Sequence, residues 1–183
     1  HKNLGCLQHI SPVEDSRVRR IAAFVALGSN QGDSPRILRA AMQRLAALSV
    51  DPPRCSSLWR SSPVDCPPGS PSFINAVAML VPRLEETPET LLDALQAIER
   101  EFGRQPKAVL NEPRPLDLDL IAFGEETRAT PRLVLPHPRA CQRRFVLEPL
   151  AEVAPDLVLP GQKLAVRDLL ASLRSAEVVR RFE

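Results

Sequence analysis

The 183-residue chain has no tyrosine, one tryptophan and six phenylalanines, so aromatic residues make up 4% of it. Proteins that read single-stranded nucleic acid stack bases on aromatic side chains, and nothing in this chain matches such a stacking motif. The balance of 24 basic against 22 acidic residues, a net charge of +2, also argues against a generic polyanion binder. Four cysteines, Cys6, Cys55, Cys66 and Cys141, form no CxxC pair and have no histidine cluster beside them. That argues against a zinc site or a thioredoxin-type redox motif. A chain of this size needs no disulfide framework, so these read as reduced thiols of a cytoplasmic protein. Glycine is scarce at seven residues, and neither GxGxxG nor a Walker A pattern occurs. Any nucleotide is therefore held without the usual glycine-rich loop. No uninterrupted apolar run reaches 18 residues, which excludes a membrane-spanning helix. Lysine occurs only at Lys2, Lys107 and Lys163, so the basic set is almost entirely arginine. Phosphate binding and genome base composition account equally well for that bias.

Proline, by contrast, is abundant: nineteen residues, placed at the boundaries of periodic segments as punctuation. Residues 21–27 are an apolar run that enters a turn at Gly28-Ser29-Asn30 and reads as a buried strand. Ser34-Pro35 supplies an N-cap and a first helical position, followed by Ile37, Leu38, Met42, Leu45 and Leu48 at helical spacing. A second strand is expected over 55–61, then a Pro- and Ser-rich loop to Ser72, then a third strand over 73–81. Thr87-Pro88 repeats the cap signal before a helix marked by Leu91, Leu92, Leu95, Ile98 and Phe102, which Gly103 stops. Residues 116–123 begin with strict alternation, leucines on one face and Asp117 and Asp119 on the other. A helical region over 139–153 and a short helix over 166–173 follow. The order strand–helix–strand–strand–helix–strand is that of a single-domain α+β ferredoxin-like fold (the split βαβ sandwich) with extra C-terminal elements. The domain is expected over residues 21–175, with a leader over 1–20 and a tail over 176–183. The leader reads as native, as an artificial extension or as the end of an upstream domain.

Two features carry chemistry. Asp117 and Asp119, at i and i+2 of one strand, project from one face about 6.5–7 Å apart at the backbone. Carboxylates held in that way suit magnesium, which accepts one or two of them together with waters and substrate phosphates. A solvated strand face is the plainer reading of the pair taken alone. The second feature is a stretch over 127–147 with Arg128, Arg132, Arg139, Arg143, Arg144 and His137 and no acid. Arginine's planar fork matches phosphate oxygens, and joined to a dication site it makes a nucleotide-phosphate clamp. Asn75 reads as a satisfied core amide or as a hydrogen-bonder to a ring edge. His137 reads equally as structural or catalytic.

Six motifs in order resemble one family. They are VALGSN at 25–30, FINA at 73–76, IEREFGR at 98–104, PRPLDLDL at 113–120, LPHP at 135–138 and RRFVLEPL at 143–150. The chain is similar to the 6-hydroxymethyl-7,8-dihydropterin pyrophosphokinases of folate biosynthesis, which transfer diphosphate from ATP. The resemblance runs from about residue 21 to residue 173 and implies a ferredoxin-like fold. It implies that Asp117 and Asp119 hold two magnesium ions that bridge the ATP phosphates. Glu99, Arg104, Arg114, His137 and Arg143 would serve the nucleotide, with Arg104 and Arg114 catalytic beside the aspartates and flanking a lid. Ser61, Ser62, Val64, Phe73, Asn75 and Phe145 would form the pterin pocket, with Asn75 on the polar edge of the ring and Phe145 against its face. Partners would be ATP and the pterin, without nucleic acid or membrane. The protein would act as a monomer, or fused to or associated with another folate-pathway enzyme.

The lid departs from the family pattern. Asn111 stands where a stacking Trp is frequent, Glu112 where a small residue is usual, and Leu110 where a basic one is common. Ser62 replaces a frequent proline, Phe73 a frequent tyrosine and Pro138 a frequent aromatic. Losing one stacking partner costs about 1 kcal/mol. A non-catalytic binding module of the same fold is the alternative. No residue stands out as the general base.

Overall fold

The computed structural model describes residues 21–62, 68–69, 71–103 and 115–182. Its strands are β1 (Ala23–Ser29), β2 (Arg54–Cys55), β3 (Trp59–Ser61), β4 (Phe73–Leu80), β5 (Asp117–Phe123), β6 (Arg128–Ala129), β7 (Val134–Leu135) and β8 (Val179–Arg181). Its helices are α1 (Ser34–Ala46), α2 (Pro88–Glu101), α3 (Arg144–Val153) and α4 (Val166–Ser172), with a 3₁₀ turn at Ala140–Gln142. Six strands form one antiparallel sheet in the order β5-β1-β4-β3-β8, with β2 also on β4; β6 and β7 form a separate hairpin. The β1-α1-β3-β4-α2-β5 core is the ferredoxin-like topology that the order of sequence elements implied.

The sheet has a buried face on each side. Leu38, Ala41 and Leu45 of α1 and Leu91, Leu95 and Ile98 of α2 pack on one face against Val25, Leu27, Ile74, Ala76, Ala78, Leu118 and Leu120. Val146, Leu147, Leu150 and Val153 of α3, with Val166 of α4, pack on the other against Phe24, Val77 and Ile121. Leucines buried in this way each stabilise the fold by about 2–5 kcal/mol, measured as the cost of truncation to alanine. The leucine face of β5 meets α1 and α2, so Asp117 and Asp119 fall on the side of α3. A bulge in β5 opposite Phe24 and Val25 then shifts the register. Past it Phe123 joins the α1–α2 side, which the strict early alternation of this segment did not foretell.

Several local expectations need correcting. The α1 cap is Asp33, whose carboxylate accepts the Arg36 N–H at 3.4 Å; Ser34 is already helical and its hydroxyl receives that of Ser29 at 2.9 Å. The strand expected over 55–61 is two short strands. Between them Ser56 replaces the ladder: its N–H donates to the Val77 carbonyl, and its Oγ accepts the Val77 N–H, both at 2.9 Å. The helical region expected over 139–153 is broken at Arg143, which is extended (φ −114°, ψ 112°) between the 3₁₀ turn and α3. Within the tail expected over residues 176–183, Val179–Arg181 pair with β3 and complete the sheet. The leader over 1–20 lies outside the described residues.

Glu152, near the end of α3, ties the α3 layer to this edge of the sheet. Its carboxylate accepts the Ser57 N–H at 3.1 Å, the Ser57 hydroxyl at 2.5 Å and the Trp59 Nε1–H at 3.0 Å. It also lies 3.6 Å from the Arg181 guanidinium, which sits over the Trp59 ring. Burial pushes its pKa up, but the hydrogen bonds from Ser57 and Trp59 outweigh this and hold it below the usual range. Glu152→Ala leaves these donors without their acceptor and is expected to lower stability by about 1–3 kcal/mol, read as a shift in the urea midpoint at constant m.

Candidate active site

One row of residues runs across the sheet in register: Trp59 opposite Asn75, Asn75 opposite Gly28, Gly28 opposite Asp117. The next row sets Val77 opposite Ala26 and Ala26 opposite Asp119. Residues directly opposite in neighbouring strands share a face, so the central strand offers only Ala26 and Gly28 between the amide on one side and the carboxylates on the other. A methyl at Gly28 would come within 3.3 Å of Asn75 Nδ2 and 4.0 Å of the Phe73 ring. The absent side chain thus leaves a hollow floored by backbone, with Phe73 and Asn75 on one side and Asp117 on the other.

On the β5 side, Asp117 and Asp119 stand close enough for each to act on the other's protonation. The pKa of Asp119 is pushed up to about 7, first by burial, then by the charges of Asp117 and Glu99, against a smaller opposing pull from Arg143. Two carboxylates in this arrangement hold a proton between them unless a cation takes its place. Among the described residues no group of three or more His, Cys, Asp and Glu forms a metal cage. Two hard oxygen donors, crowded and short of positive charge, fit magnesium, which fills its other positions with water and phosphate oxygens.

The outer edge of β5 positions two further groups. Glu99 of α2, 6% exposed, accepts the Leu118 N–H at 2.9 Å, so it braces the strand that carries the aspartates. His137 donates its N–H to the Ile121 carbonyl at 2.8 Å, which brings its ring beside the site. Its Nδ1 accepts the Arg139 N–H at 3.2 Å, so the neutral ring carries its proton on Nε2. Burial, then Arg143 and Arg139, lower the His137 pKa while Asp117 opposes them, and the ring is a neutral donor at pH 7.

The arginine-rich stretch divides, which narrows the clamp read from the sequence. Arg128 pairs with Glu89 at 2.6 Å and Glu126 at 2.8 Å, and Arg132 pairs with Asp93, so both tie the β6–β7 hairpin to α2. Arg144 bonds the Leu173 carbonyl at 3.2 Å, and its N–H donates to Glu177 at 3.0 Å, fastening the C-terminal segment to α3. Arg143 alone of the five acts on both Asp119 and His137, and its guanidinium lies 5.5 Å from the centroid of the Phe145 ring. Phe73, Asn75, Asp117, Asp119, Glu99, His137, Arg143 and Phe145 are thereby brought to one face or edge of the sheet. Ser61 is buried beside Asn75, and Ser62 is exposed just past β3. Val64, Arg104, Arg114, Leu110, Asn111, Glu112 and Cys66 lie outside the described residues. The floor role of Gly28 escaped sequence reasoning. The motif VALGSN pointed to the position, but only strand register shows what the missing side chain leaves open.

A ferredoxin-like sheet bearing paired carboxylates, an arginine and a neutral histidine has the donor types that a divalent cation and phosphate oxygens require. The sequence model of the 7,8-dihydro-6-hydroxymethylpterin-pyrophosphokinase family matches residues 24–155, and the chain belongs to that family. It is 44% identical over 138 residues to the 2-amino-4-hydroxy-6-hydroxymethyldihydropteridine pyrophosphokinase of Pseudomonas aeruginosa, covering 75% of this chain and 83% of that protein. It is 40% identical to the enzyme of the same name from Haemophilus influenzae, over 79% of this chain and 88% of the relative. The folate synthesis bifunctional protein of Arabidopsis thaliana is 31% identical over 87% of this chain, which spans 32% of that protein. Among solved structures, wild-type Plasmodium falciparum HPPK-DHPS with pteroate has a TM-score of 0.65 at 12% identity, over 82% of this chain and 44% of its own. At that identity the likeness speaks for the fold alone.

The raised pKa of Asp119 sets a pH dependence. Between about pH 4 and 7 the folded metal-free protein retains a proton that the unfolded chain has released. That contribution to stability is full below the unfolded pKa and is lost as pH rises through 7. His137, lowered when folded, acts in the opposite sense near its unfolded value, so the two are separated by comparison with Asp119→Asn. In EDTA, wild type is expected to lose stability relative to Asp119→Asn as pH rises from 5 to 8, and magnesium to restore wild type only. Thermal midpoints of both proteins across this range, with and without magnesium, check it. Gly28→Ala is expected to fill the hollow at the Asn75 amide, weakening ligand binding beside Asn75 at least several-fold while ATP affinity holds, measured by calorimetry.

Proposed function

We propose that this chain transfers the β,γ-diphosphate of ATP to the hydroxymethyl oxygen of 6-hydroxymethyl-7,8-dihydropterin and releases AMP, a step of folate biosynthesis. The observation that carries this reading is the register of Asn75, Gly28 and Asp117 across three neighbouring strands. Strands lie about 4.8 Å apart, so the backbones that carry the ring-reading amide and the phosphate-binding carboxylates stand roughly 10 Å apart, with Gly28 between them. A flat bicyclic ring with a one-carbon arm spans that distance.

In this proposal the alcohol oxygen attacks the β-phosphorus in line as the bond from that phosphorus to the α–β bridging oxygen breaks, and AMP leaves with the bridging oxygen. The alcohol's proton is released to the medium or to a neighbouring oxygen. Little covalent work falls to the protein, so rate comes from alignment and charge neutralisation. Asp117 and Asp119 would hold magnesium, two ions in this reading, whose chemistry is to neutralise the phosphate oxygens. Arg143 and the Nε2–H of His137 are placed to donate to phosphate oxygens on the same face. Phe73 and Phe145 offer flat apolar surface to the ring, and Asn75 reads its polar edge. In this reading the enzyme acts as a monomer, or fused to or associated with another folate-pathway enzyme. No helix among the described residues is long and apolar enough to cross a membrane, and the reading assigns the enzyme to the cytoplasm, where ATP is supplied.

AMP formation by the purified chain, with ATP, magnesium and the pterin and with a control lacking the pterin, tests the proposal. AMP is expected only when pterin is present. Binding of both ligands without AMP would assign the chain to the non-catalytic module instead. Asp117→Ala and Asp119→Ala are each expected to lower kcat at least a hundredfold while pterin binding persists, because the Asn75 side of the hollow is untouched. Near-normal turnover by either variant would contradict a shared metal site.

A further inference from the structure

Ser61 and Asn75 are both buried, at 3% and 6% exposure, on adjacent strands in diagonal register. The Ser61 hydroxyl lies 2.6 Å from Asn75 Oδ1. That separation is typical of an O–H···O bond and short for N–H···O, which marks the amide oxygen as the end that faces Ser61. The opposite end is located independently. Asn75 Nδ2 lies over Gly28, within 3.3 Å of where a side-chain carbon would begin. The amide therefore bridges from β3 to β1 with a defined sense, oxygen toward the serine and N–H donors toward the hollow.

We propose that Ser61 is a positioning residue which, by donating to its oxygen, favours the orientation of the Asn75 amide seen here and so biases which ring chemistry the pocket accepts. This deepens the reading of the pocket as a pterin site and rests on it. An unconstrained asparagine can rotate its amide and offer either a donor or an acceptor to a ligand. With its oxygen engaged by Ser61, Asn75 presents donors, and the ring edge it selects must carry an acceptor there. The carbonyl oxygen of a 4-oxo pterin is such an acceptor. A 4-amino group presents donors against donors and leaves buried polar groups unpaired, which is the strongest form of discrimination a small pocket has.

Two features of the structure support a role beyond filling space. The Ser61 side chain is the hydrogen-bond partner of Asn75 from the strand next to it, and β3 itself is held on both sides, by Phe73 of β4 and Val179 of β8. The serine is thus delivered by a strand that is not free to shift when the ligand enters.

The test is binding of two probes, 6-hydroxymethylpterin and its 4-amino analogue, to wild type, Ser61→Ala, Ser61→Cys and Ser61→Thr. Calorimetry gives the affinities, and the fluorescence of Trp59, the one tryptophan of the chain and the direct cross-strand neighbour of Asn75, gives a second readout. Magnesium–ATP affinity is measured in parallel and is expected to stay within twofold, showing an intact fold. Wild type is expected to prefer the 4-oxo probe by at least tenfold. Ser61→Ala should lose most of that preference, because the freed amide can turn its oxygen to the amino group. Ser61→Cys, a weaker donor of similar size, should lose part, and Ser61→Thr should restore it. An unchanged preference in Ser61→Ala, or an equal weakening of both probes, overturns the proposal. If wild type binds neither probe, the pterin reading itself falls and this inference with it. If it binds both but releases no AMP, catalysis fails while the orientation test still stands.

Discussion

Placing Asp117 and Asp119 side by side on one buried strand face is the constraint to which the surrounding structure answers. Arg143 offsets their repulsion only in part, and a proton or a cation has to meet the rest. The fold surrounds the pair with groups that hold the strand still: Glu99 on the Leu118 amide and the His137 amide on the Ile121 carbonyl. Both contacts use backbone groups on the edge of β5 that no neighbouring strand requires. Being at the edge of the sheet is thus what allows β5 to carry the charge-bearing half of the site.

The central strand does the opposite work. β1 runs between the strand of the amide and the strand of the carboxylates and, past Phe24, contributes almost nothing of its own on that face. Gly28 and Ala26 keep it low, and the residues that matter rise on either side. This division lets the two halves differ in chemistry, an amide, a serine and aromatic rings on one side, acids with an arginine and a histidine on the other. The flat layer between them keeps their spacing set by strand separation alone.

Much of this was legible in the sequence. The element order, the two amphipathic helices and the aspartate pair follow from periodicity and caps, which are local. What was not legible depends on contacts distant in sequence. The partners of Arg128 and Arg132 lie on α2, about forty residues earlier, so the arginine-rich stretch looked like one clamp when it is mostly scaffold. The β5 bulge is written in how two strands mesh rather than in either alone. β8 is three residues long with two arginines, a pattern that carries no strand signal until β3 offers it an open edge. The bond from Ser61 to Asn75 joins residues fourteen apart whose types are commonplace by themselves. Corrections at the α1 cap and between β2 and β3 share one cause: a serine hydroxyl took a partner that spacing does not reveal.

The C-terminal strand has a consequence for how the molecule meets others of its kind. A sheet edge left bare is a template on which another chain can extend the ladder. Here β8 takes the open side of β3 and leaves as the new margin a strand of three residues, Val179, Arg180 and Arg181, too short and too cationic to recruit a further strand. At the far side, Glu99 and His137 occupy ladder groups of β5 that would otherwise invite pairing. The devices that steady the strand of the aspartates and back the strand of Ser61 therefore also keep the sheet from growing, so self-association by strand addition is discouraged at both margins by residues already committed to the candidate site or its support.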